Sequence, residues 1–153
     1  MTVTPGQVVD QTLDVGVDAK VLWDFITDWK RHGDWIPLTR VDLVGGPARE
    51  VGGVFRTRSG VGPLGFWDPL RVTAWDEWPD GGGTCTLVHT GKVVRGDAEI
   101  TVTPLGEGRS RLRWVEHFEF GRPGRLAWRV GGRLVDRGLG RLLRRAAAIV
   151  EAG

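Results

Sequence analysis

The sequence predicts an α+β fold in which an antiparallel sheet of about seven strands is covered by a long C-terminal helix. Three patterns predict it: apolar residues at every second position between Arg40 and Phe120, glycine clusters that separate the strands there, and helical apolar spacing from Pro123 onward. Such a sheet must cover its apolar face, and the C-terminal helix is the only predicted element large enough to do so. A chain of 153 residues is expected to form one domain.

The N-terminal segment predicts one strand and two short helices. In Gln7–Val15, apolar residues alternate with polar ones, which is typical of a half-buried strand. Asp18 is the expected N-cap of the first helix, which should end near Gly33 because Pro37 cannot continue it. Residues 35–37 should end a second short helix or form a tight connector. The apolar stripe of the first helix is Leu22, Phe25, Ile26 and Trp29, with Trp23 outside it.

Six further strands are predicted between residues 40 and 120, in the serial order of an antiparallel meander. They are Arg40–Leu43, Val54–Ser59, Trp67–Asp76, Thr84–Lys92, Asp97–Pro104 and Ser110–Phe120. One face of the last strand is almost entirely apolar and should point to the core. Its residues are Leu112, Trp114, Glu116, Phe118 and Phe120.

The C-terminal segment has apolar residues at helical spacing from Pro123, which suits a first helical turn. Four glycines interrupt this pattern, and each costs about 1 kcal/mol relative to alanine inside a helix. The helix should therefore bend or fray there, or the glycines make room for a closely packed neighbour. The apolar stripe is Leu126, Val130, Leu134, Leu139, Leu142, Leu143, Ala146, Ile149 and Val150, and the glycines are Gly131, Gly132, Gly138 and Gly140.

Composition and motifs exclude several classes of protein. A net charge of +2 and 41% apolar residues argue against disorder, and no run approaches the ~18 apolar residues of a transmembrane helix. The N-terminal MTVTPGQVVDQT has no basic start and no apolar segment, so we expect no secretion signal and a cytoplasmic protein. Cys85 is the only cysteine and the three histidines fit no metal spacing. Because phosphate-binding and nucleophile-elbow motifs are also missing, we expect no metal and no cofactor.

The C-terminal helix is strongly basic, with eight arginines against two carboxylates in residues 122–153. Such a helix could attract a nucleic acid, an anionic membrane or an acidic partner. Arginines at every fourth position from Arg125 to Arg137 are also what a solvated helix face would show. Because no aromatic stacking module accompanies them, no nucleic-acid partner is expected.

Four segments resemble a known family: VDAKVLWDFITDW (residues 17–29), WIP (35–37), VGGVFR (51–56) and DPLRVTAWD (68–76). The chain resembles the START-like, or SRPBCC, superfamily in its bacterial polyketide cyclase/dehydrase branch, over about Gln7 to Glu151. The resemblance implies a helix-grip fold, in which a curved sheet wraps around the C-terminal helix and leaves an apolar cavity between them. Members of the superfamily bind lipids, sterols, polyketides or other hydrophobic small molecules there, and only some are enzymes.

Glu116 and His89 are the candidate catalytic residues. Glu116 shares the inward face of the last strand, and an isolated buried carboxylate is costly, so it should be paired, protonated or open to a wet cavity. A raised pKa would suit a general acid or base, whereas a slipped register or an arginine partner would make it structural. His89 points inward if Cys85 and Leu87 do, and it could then meet Glu116 as a proton shuttle. An outward or structurally satisfied His89 is the alternative, and Cys85 is expected to be a small core residue.

Other side chains are expected around the cavity. Asp68 should lie in the turn before a strand, either lining the cavity mouth or capping that turn. Arg56 either orients a polar head group or is solvated. Tryptophans would supply broad apolar walls with one donor each. The expected ligand site is Trp29, Trp35, Arg56, Phe66, Trp67, Asp68, Leu87, His89, Trp114, Glu116, Phe118 and Leu134.

These patterns favour binding or transport of a hydrophobic small molecule over catalysis. The chain has eight tryptophans and no tyrosine, which suits an apolar cavity with few hydroxyl groups. The alternatives are a polyketide aromatase/cyclase or dehydratase, and a non-catalytic protein that binds a partner through its arginine-rich helix. We expect no nucleic-acid partner, no integral membrane association, and a monomer or homodimer.

Overall fold

The computed structural model describes residues 7–153 and contains one seven-stranded antiparallel sheet wrapped around a long C-terminal helix. The strand order is β1-β7-β6-β5-β4-β3-β2, so the first strand lies beside the last. The predicted helix-grip fold is thereby confirmed. Residues 1–6, part of the segment in which no secretion signal was expected, lie outside the described residues. The strands are β1 (Val8–Val15), β2 (Thr39–Gly45), β3 (Val54–Ser59), β4 (Phe66–Glu77), β5 (Gly83–His89), β6 (Gly96–Gly106) and β7 (Arg109–Phe118), and the helices are α1 (Ala19–Ile26), α2 (His32–Trp35) and α3 (Arg122–Ala152).

The first helix is shorter than predicted. It ends at Ile26, and Trp29 begins a separate 3-10 turn (Trp29–Arg31) that leads into α2. Thr27 closes α1, and its hydroxyl donates to the carbonyl of Trp23 at 2.6 Å, a local bond that competes with helix continuation. The predicted second short helix is confirmed as α2.

Trp23 is fully buried, so the expectation that it lies outside the buried stripe of α1 is wrong. Trp23 is buried because the start of β5 covers α1 on a second side, a tertiary contact that the sequence pattern of α1 does not show. A Cβ atom on Gly83 would lie 2.9 Å from the Trp23 indole, so only glycine lets the ring approach. The indole Nε1–H donates to Glu77 Oε1 at 3.2 Å, which satisfies its buried polar atom.

The C-terminal helix is continuous, and side-chain hydrogen bonds join it to β1 and to the residue that follows β1. Gln11 donates its side-chain amide to Asp136 Oδ1 at 2.7 Å, and Glu151 accepts the backbone N–H of Gly16 at 2.7 Å. Gly140 packs against Gln11, whose Oε1 would lie 2.8 Å from an added Cβ, so this glycine makes room for a neighbour. An added Cβ at Gly131 or Gly138 would meet nothing within 4 Å. No helix in residues 7–153 combines the length and apolarity needed to cross a membrane.

Candidate functional site

A histidine and two carboxyl side chains, each on a different strand, lie on the face of the sheet that points to α3. They are Asp68 on β4, His89 on β5 and Glu116 on β7. Gly96 of β6 is opposite His89, and Ala98 of β6 is opposite Glu116. His89 and Glu116 are therefore two strands apart, and the strand between them carries only a hydrogen atom and a methyl group at these positions.

Asp68 and His89 form a buried pair. The Nδ1–H of His89 donates to the two carboxylate oxygens of Asp68, at 2.8 and 3.0 Å, and the side chains are 7% (His89) and 11% (Asp68) exposed. Burial by itself would lower the pKa of His89, but the hydrogen bond and the charge of Asp68 outweigh it and raise that pKa. His89 Nε2 is buried and has no hydrogen-bond partner within residues 7–153. The ring is thus held by a hydrogen bond at Nδ1 and is buried without a hydrogen bond at Nε2.

Glu116 is held by a neighbour on its own strand. The Nε1–H of Trp114 donates to Glu116 Oε1 at 2.9 Å. Burial raises the pKa of Glu116, and the Trp114 hydrogen bond and the charge of His89 offset only part of that rise. The carboxyl group therefore takes its neutral form at a higher pH than an exposed glutamate does, and a neutral carboxyl can donate a hydrogen bond.

A groove of about 290 Å³ runs between α3 and the edge formed by β1 and β7. Glu116 is its one titratable lining residue, and the others are apolar: Val9, Phe118, Val135, Gly138, Leu139 and Leu142. A hollow of about 600 Å³ near the C-terminal end of α3 is larger, but its charged lining residues Asp24, Asp28 and Arg31 meet solvent. The groove therefore combines an apolar lining with a carboxyl group, Glu116, whose pKa is raised, and we take it as the candidate ligand site.

Four apolar residues of the expected site are buried inside the fold. Trp29 stacks on Phe55 with ring centroids 4.8 Å apart, and Leu87 is 2% exposed. Trp35 meets Trp114 edge-on at 6.0 Å, and the Trp35 Nε1–H is buried without a partner in the part of the chain that the structure describes. The tryptophans of this group therefore belong to the hydrophobic core, and none of them lines the groove.

Arg56 and Trp67 require a correction, because they lie on the outer face of the sheet. Successive strand residues point to opposite faces, so the inward positions of Phe55 and Asp68 turn Arg56 and Trp67 outward. There the Arg56 guanidinium lies 4.1 Å from the centre of the Trp67 ring, a cation–π contact. Phe66, at the start of β4, is 38% exposed.

Leu134 also requires a correction, since its side chain is 70% exposed and does not line the groove. A row of residues four apart advances about 40° around an α-helix at each step, because the helix has 3.6 residues per turn. The row of Leu126, Val130 and Leu134, which is exposed along its whole length, therefore does not follow the buried face of α3. Phe118, by contrast, does line the groove and stacks on Phe120 with centroids 5.6 Å apart.

The sequence interpretation missed the partner of His89. It paired His89 with Glu116 and placed Asp68 in a turn, whereas Asp68 lies within β4 and accepts from His89. Only the β4–β5 register, which shifts between Val72 and Ala74, brings the two side chains together. Cys85 is buried as expected, and burial raises the pKa of its thiol to about 12, which disfavours a thiolate nucleophile. Within residues 7–153, no three His, Cys, Asp or Glu side chains are grouped to hold a metal ion.

Residues 7–151 match the family described as polyketide cyclase/dehydrase and lipid transport. The fold is similar to that of the Zhui aromatase/cyclase from Streptomyces sp. R1128, with a TM-score of 0.70, 19% identity, and coverage of 94% of this chain and 93% of that one. A START superfamily protein from Mycobacterium smegmatis has a TM-score of 0.67 at 16% identity over 96% of both chains. Norcoclaurine synthase from Thalictrum flavum has a TM-score of 0.65 at 14% identity, over 94% of this chain and 85% of that one.

Among curated proteins, none matches this sequence. At these identities the solved structures establish only the fold, whereas the family match over residues 7–151 establishes family membership. The START-like resemblance of the sequence is thereby confirmed, and the chain belongs to the polyketide cyclase/dehydrase and lipid transport family.

Proposed function

We propose that the chain binds a hydrophobic small molecule in the groove between α3 and the β1–β7 edge. The observation that carries this proposal is a single carboxyl group with a raised pKa, Glu116, in a wall that is otherwise apolar. The volume of about 290 Å³ is close to the lower end of small-molecule sites, which begin at roughly 300 Å³. The family description, which includes lipid transport, supports the same class of ligand.

The polar groups suggest how such a ligand is oriented. Its apolar part packs against Leu139 and Leu142 of α3 and Phe118 of β7. Its polar part, an oxygen that accepts hydrogen bonds, faces Glu116, which donates when neutral. A carbonyl-containing lipid or polyketide fits this description.

The direct test is to look for the ligand. The purified protein is denatured and extracted, and the extract is analysed by mass spectrometry for co-purified hydrophobic molecules. A panel of fatty acids, lipids and polyketides is then tested for thermal stabilisation of the ligand-free protein. Absence of both a co-purified ligand and a thermal shift across the panel would contradict the proposal.

Gly138 allows the groove to be filled without strain. Because an added Cβ meets nothing within 4 Å, Gly138→Leu should fold, and the loss of a helical glycine should add up to about 1 kcal/mol of stability. The leucine side chain projects into the groove, so binding of any ligand found above should be lost. Gly131→Leu is the matched control, since Gly131 is also in α3 with open space at Cβ but does not line the groove. Equal ligand affinity in the two variants, measured by calorimetry, would place the ligand elsewhere.

The Asp68–His89 pair favours acid–base catalysis as a second candidate function. The Asp68 carboxylate accepts from Nδ1–H of His89, so Nε2 of the neutral His89 ring could accept a proton from a substrate. Glu116, on the same face of the sheet, could then donate a proton to that substrate. The reaction class would be cyclisation or dehydration of a polyketide-like substrate. Glu116→Gln and His89→Ala should each lower turnover by at least about 100-fold if these groups transfer protons. Unchanged turnover in both variants would remove this candidate.

A further inference from the structure

The N-terminal half of α3 exposes a row of large apolar side chains. Leu126, Val130 and Leu134 are 65%, 83% and 70% exposed, and they are spaced four residues apart, so they neighbour one another along one side of the helix. Exposed apolar residues are ordinary when scattered singly, but a continuous row of this kind marks an interaction surface.

Four exposed arginines accompany this row: Arg125, Arg129, Arg133 and Arg137. None of them is in an ion pair within residues 7–153. The two carboxylates of α3 are engaged elsewhere, because Asp136 accepts from Gln11 and Glu151 accepts from Gly16. The surface therefore combines apolar side chains with positive charge that no carboxylate in residues 7–153 pairs with. We refer to these seven residues, the three apolar ones and the four arginines, as the α3 outer face.

We propose that the α3 outer face docks on an anionic lipid membrane. Leucine and valine side chains of a basic amphipathic helix insert at the boundary of head groups and acyl chains, while arginines bind lipid phosphates. A second copy of the chain fits this face poorly, because two arginine rows would be brought together. The three apolar side chains lie within about 80° of one another around a convex helix, which suits a planar surface, whereas an acidic protein would need a matching apolar groove.

Docking in this orientation has a geometric consequence for the groove. Val135 lines the groove and is 44% exposed, and it follows Leu134 of the α3 outer face directly in the helix. Successive residues point about 100° apart around an α-helix, so this wall of the groove lies beside the surface that would meet the membrane and not on it. This consequence rests on the proposed ligand site, whereas the docking itself does not.

The test is flotation of the full chain with vesicles of phosphatidylcholine alone and of phosphatidylcholine mixed with phosphatidylglycerol. We expect binding to the anionic vesicles only, weakened by added salt. Val130→Asn combined with Leu134→Asn, and separately Arg129→Gln combined with Arg133→Gln, should each weaken binding about tenfold or more.

Matched controls are available at other exposed positions. Val61→Asn with Val93→Asn removes two valines that are each 61% exposed, in loops outside α3. Arg71→Gln with Arg95→Gln removes two exposed arginines, and both double variants should bind like the parent. Gly138→Leu should also still float, so that failure of docking is distinguishable from failure of ligand binding.

Three results would overturn the proposal. The first is no flotation with anionic vesicles, and the second is equal binding to neutral vesicles. The third is a dimer in sedimentation experiments that Val130→Asn with Leu134→Asn dissociates, since the face would then be an interface between copies of the chain.

Discussion

Acidification from pH 6.5 to pH 4 is expected to remove about 3 kcal/mol of unfolding free energy through His32 alone. This histidine is 5% exposed and is enclosed by Trp29, Trp35 and Trp114, with ring centroids 5.4, 4.9 and 6.1 Å away. Its Nε2–H donates to the carbonyl of Ile26 at 2.9 Å, a bond that the neutral ring makes. Burial among these rings lowers the pKa of His32 to about 4.

The sign follows from proton uptake. Between pH 6.5 and pH 4 the unfolded chain binds a proton at residue 32 and the folded chain does not, so stability falls as the pH falls through this window. Urea unfolding at a series of pH values measures the slope. His32→Gln keeps a donor for Ile26 but does not titrate, so it should lose this part of the slope.

His117→Gln is the matched control for that experiment, because His117 lies on the outer face of β7 with its side chain about one-third exposed. This variant leaves the aromatic enclosure of His32 unchanged, so the part of the acid slope that belongs to His32 should remain. If His32→Gln also retains the full slope, the ring is charged or hydrated in the folded state, and the aromatic enclosure does not exclude water.

The Asp68–His89 pair should stabilise the fold with the opposite pH dependence. Because the folded-state pKa of His89 is raised, its contribution is fully present below about pH 6.5 and is lost as the pH rises through the folded-state pKa. Asp68→Asn keeps an acceptor for Nδ1–H but removes the charge, so His89 must be buried neutral. Near pH 5 the variant should be about 2 kcal/mol less stable than the parent, and the difference should shrink at higher pH.

A second histidine–carboxylate pair provides the control. The Nδ1 atom of His117 lies 3.1 Å from Asp97 Oδ2 on the outer face, and both side chains are about one-third exposed or more. Asp97→Asn should therefore cost less than about 1 kcal/mol, because solvent screens an exposed pair. The pKa of His89, followed by NMR, should fall in Asp68→Asn. Equal losses in the two asparagine variants would show that burial of Asp68 adds nothing to its interaction with His89.

Sequence periodicity predicted the bounds of some strands and helices closely. The bounds of β3 were predicted to the residue, those of β7 to within two residues and the start of α3 to within one, because a strand or helix with one buried face displays its period directly. The positions of Trp23 and Leu134 were predicted wrongly, because periodicity alone does not show which side of a helix other elements cover. A period defines one stripe per helix, whereas burial depends on which other elements pack against it.

In the candidate site, too, features of a single strand were predictable and contacts between strands were not. Alternation along β7 predicted the inward position of Glu116, and alternation along β5 predicted that His89 shares a face with Cys85 and Leu87, since both are properties of a single strand. The partner of His89, Asp68, depends on the register between two strands, and a register shift in β4 makes that register unreadable from residue spacing. The outward positions of Arg56 and Trp67 follow from the same alternation, because the neighbours of inward residues on a strand point outward.

The sequence by itself determined the α+β class, the serial strands, the single long helix and the inward carboxyl at Glu116, since each follows from the period of one segment. Only the tertiary structure decided that Asp68 fixes His89, that the groove is walled by Val135, Leu139 and Leu142, and that Leu134 faces solvent. These are contacts between segments far apart in the chain. Their geometry depends on strand register and on how α3 is rotated against the sheet, and no periodicity within one segment encodes either.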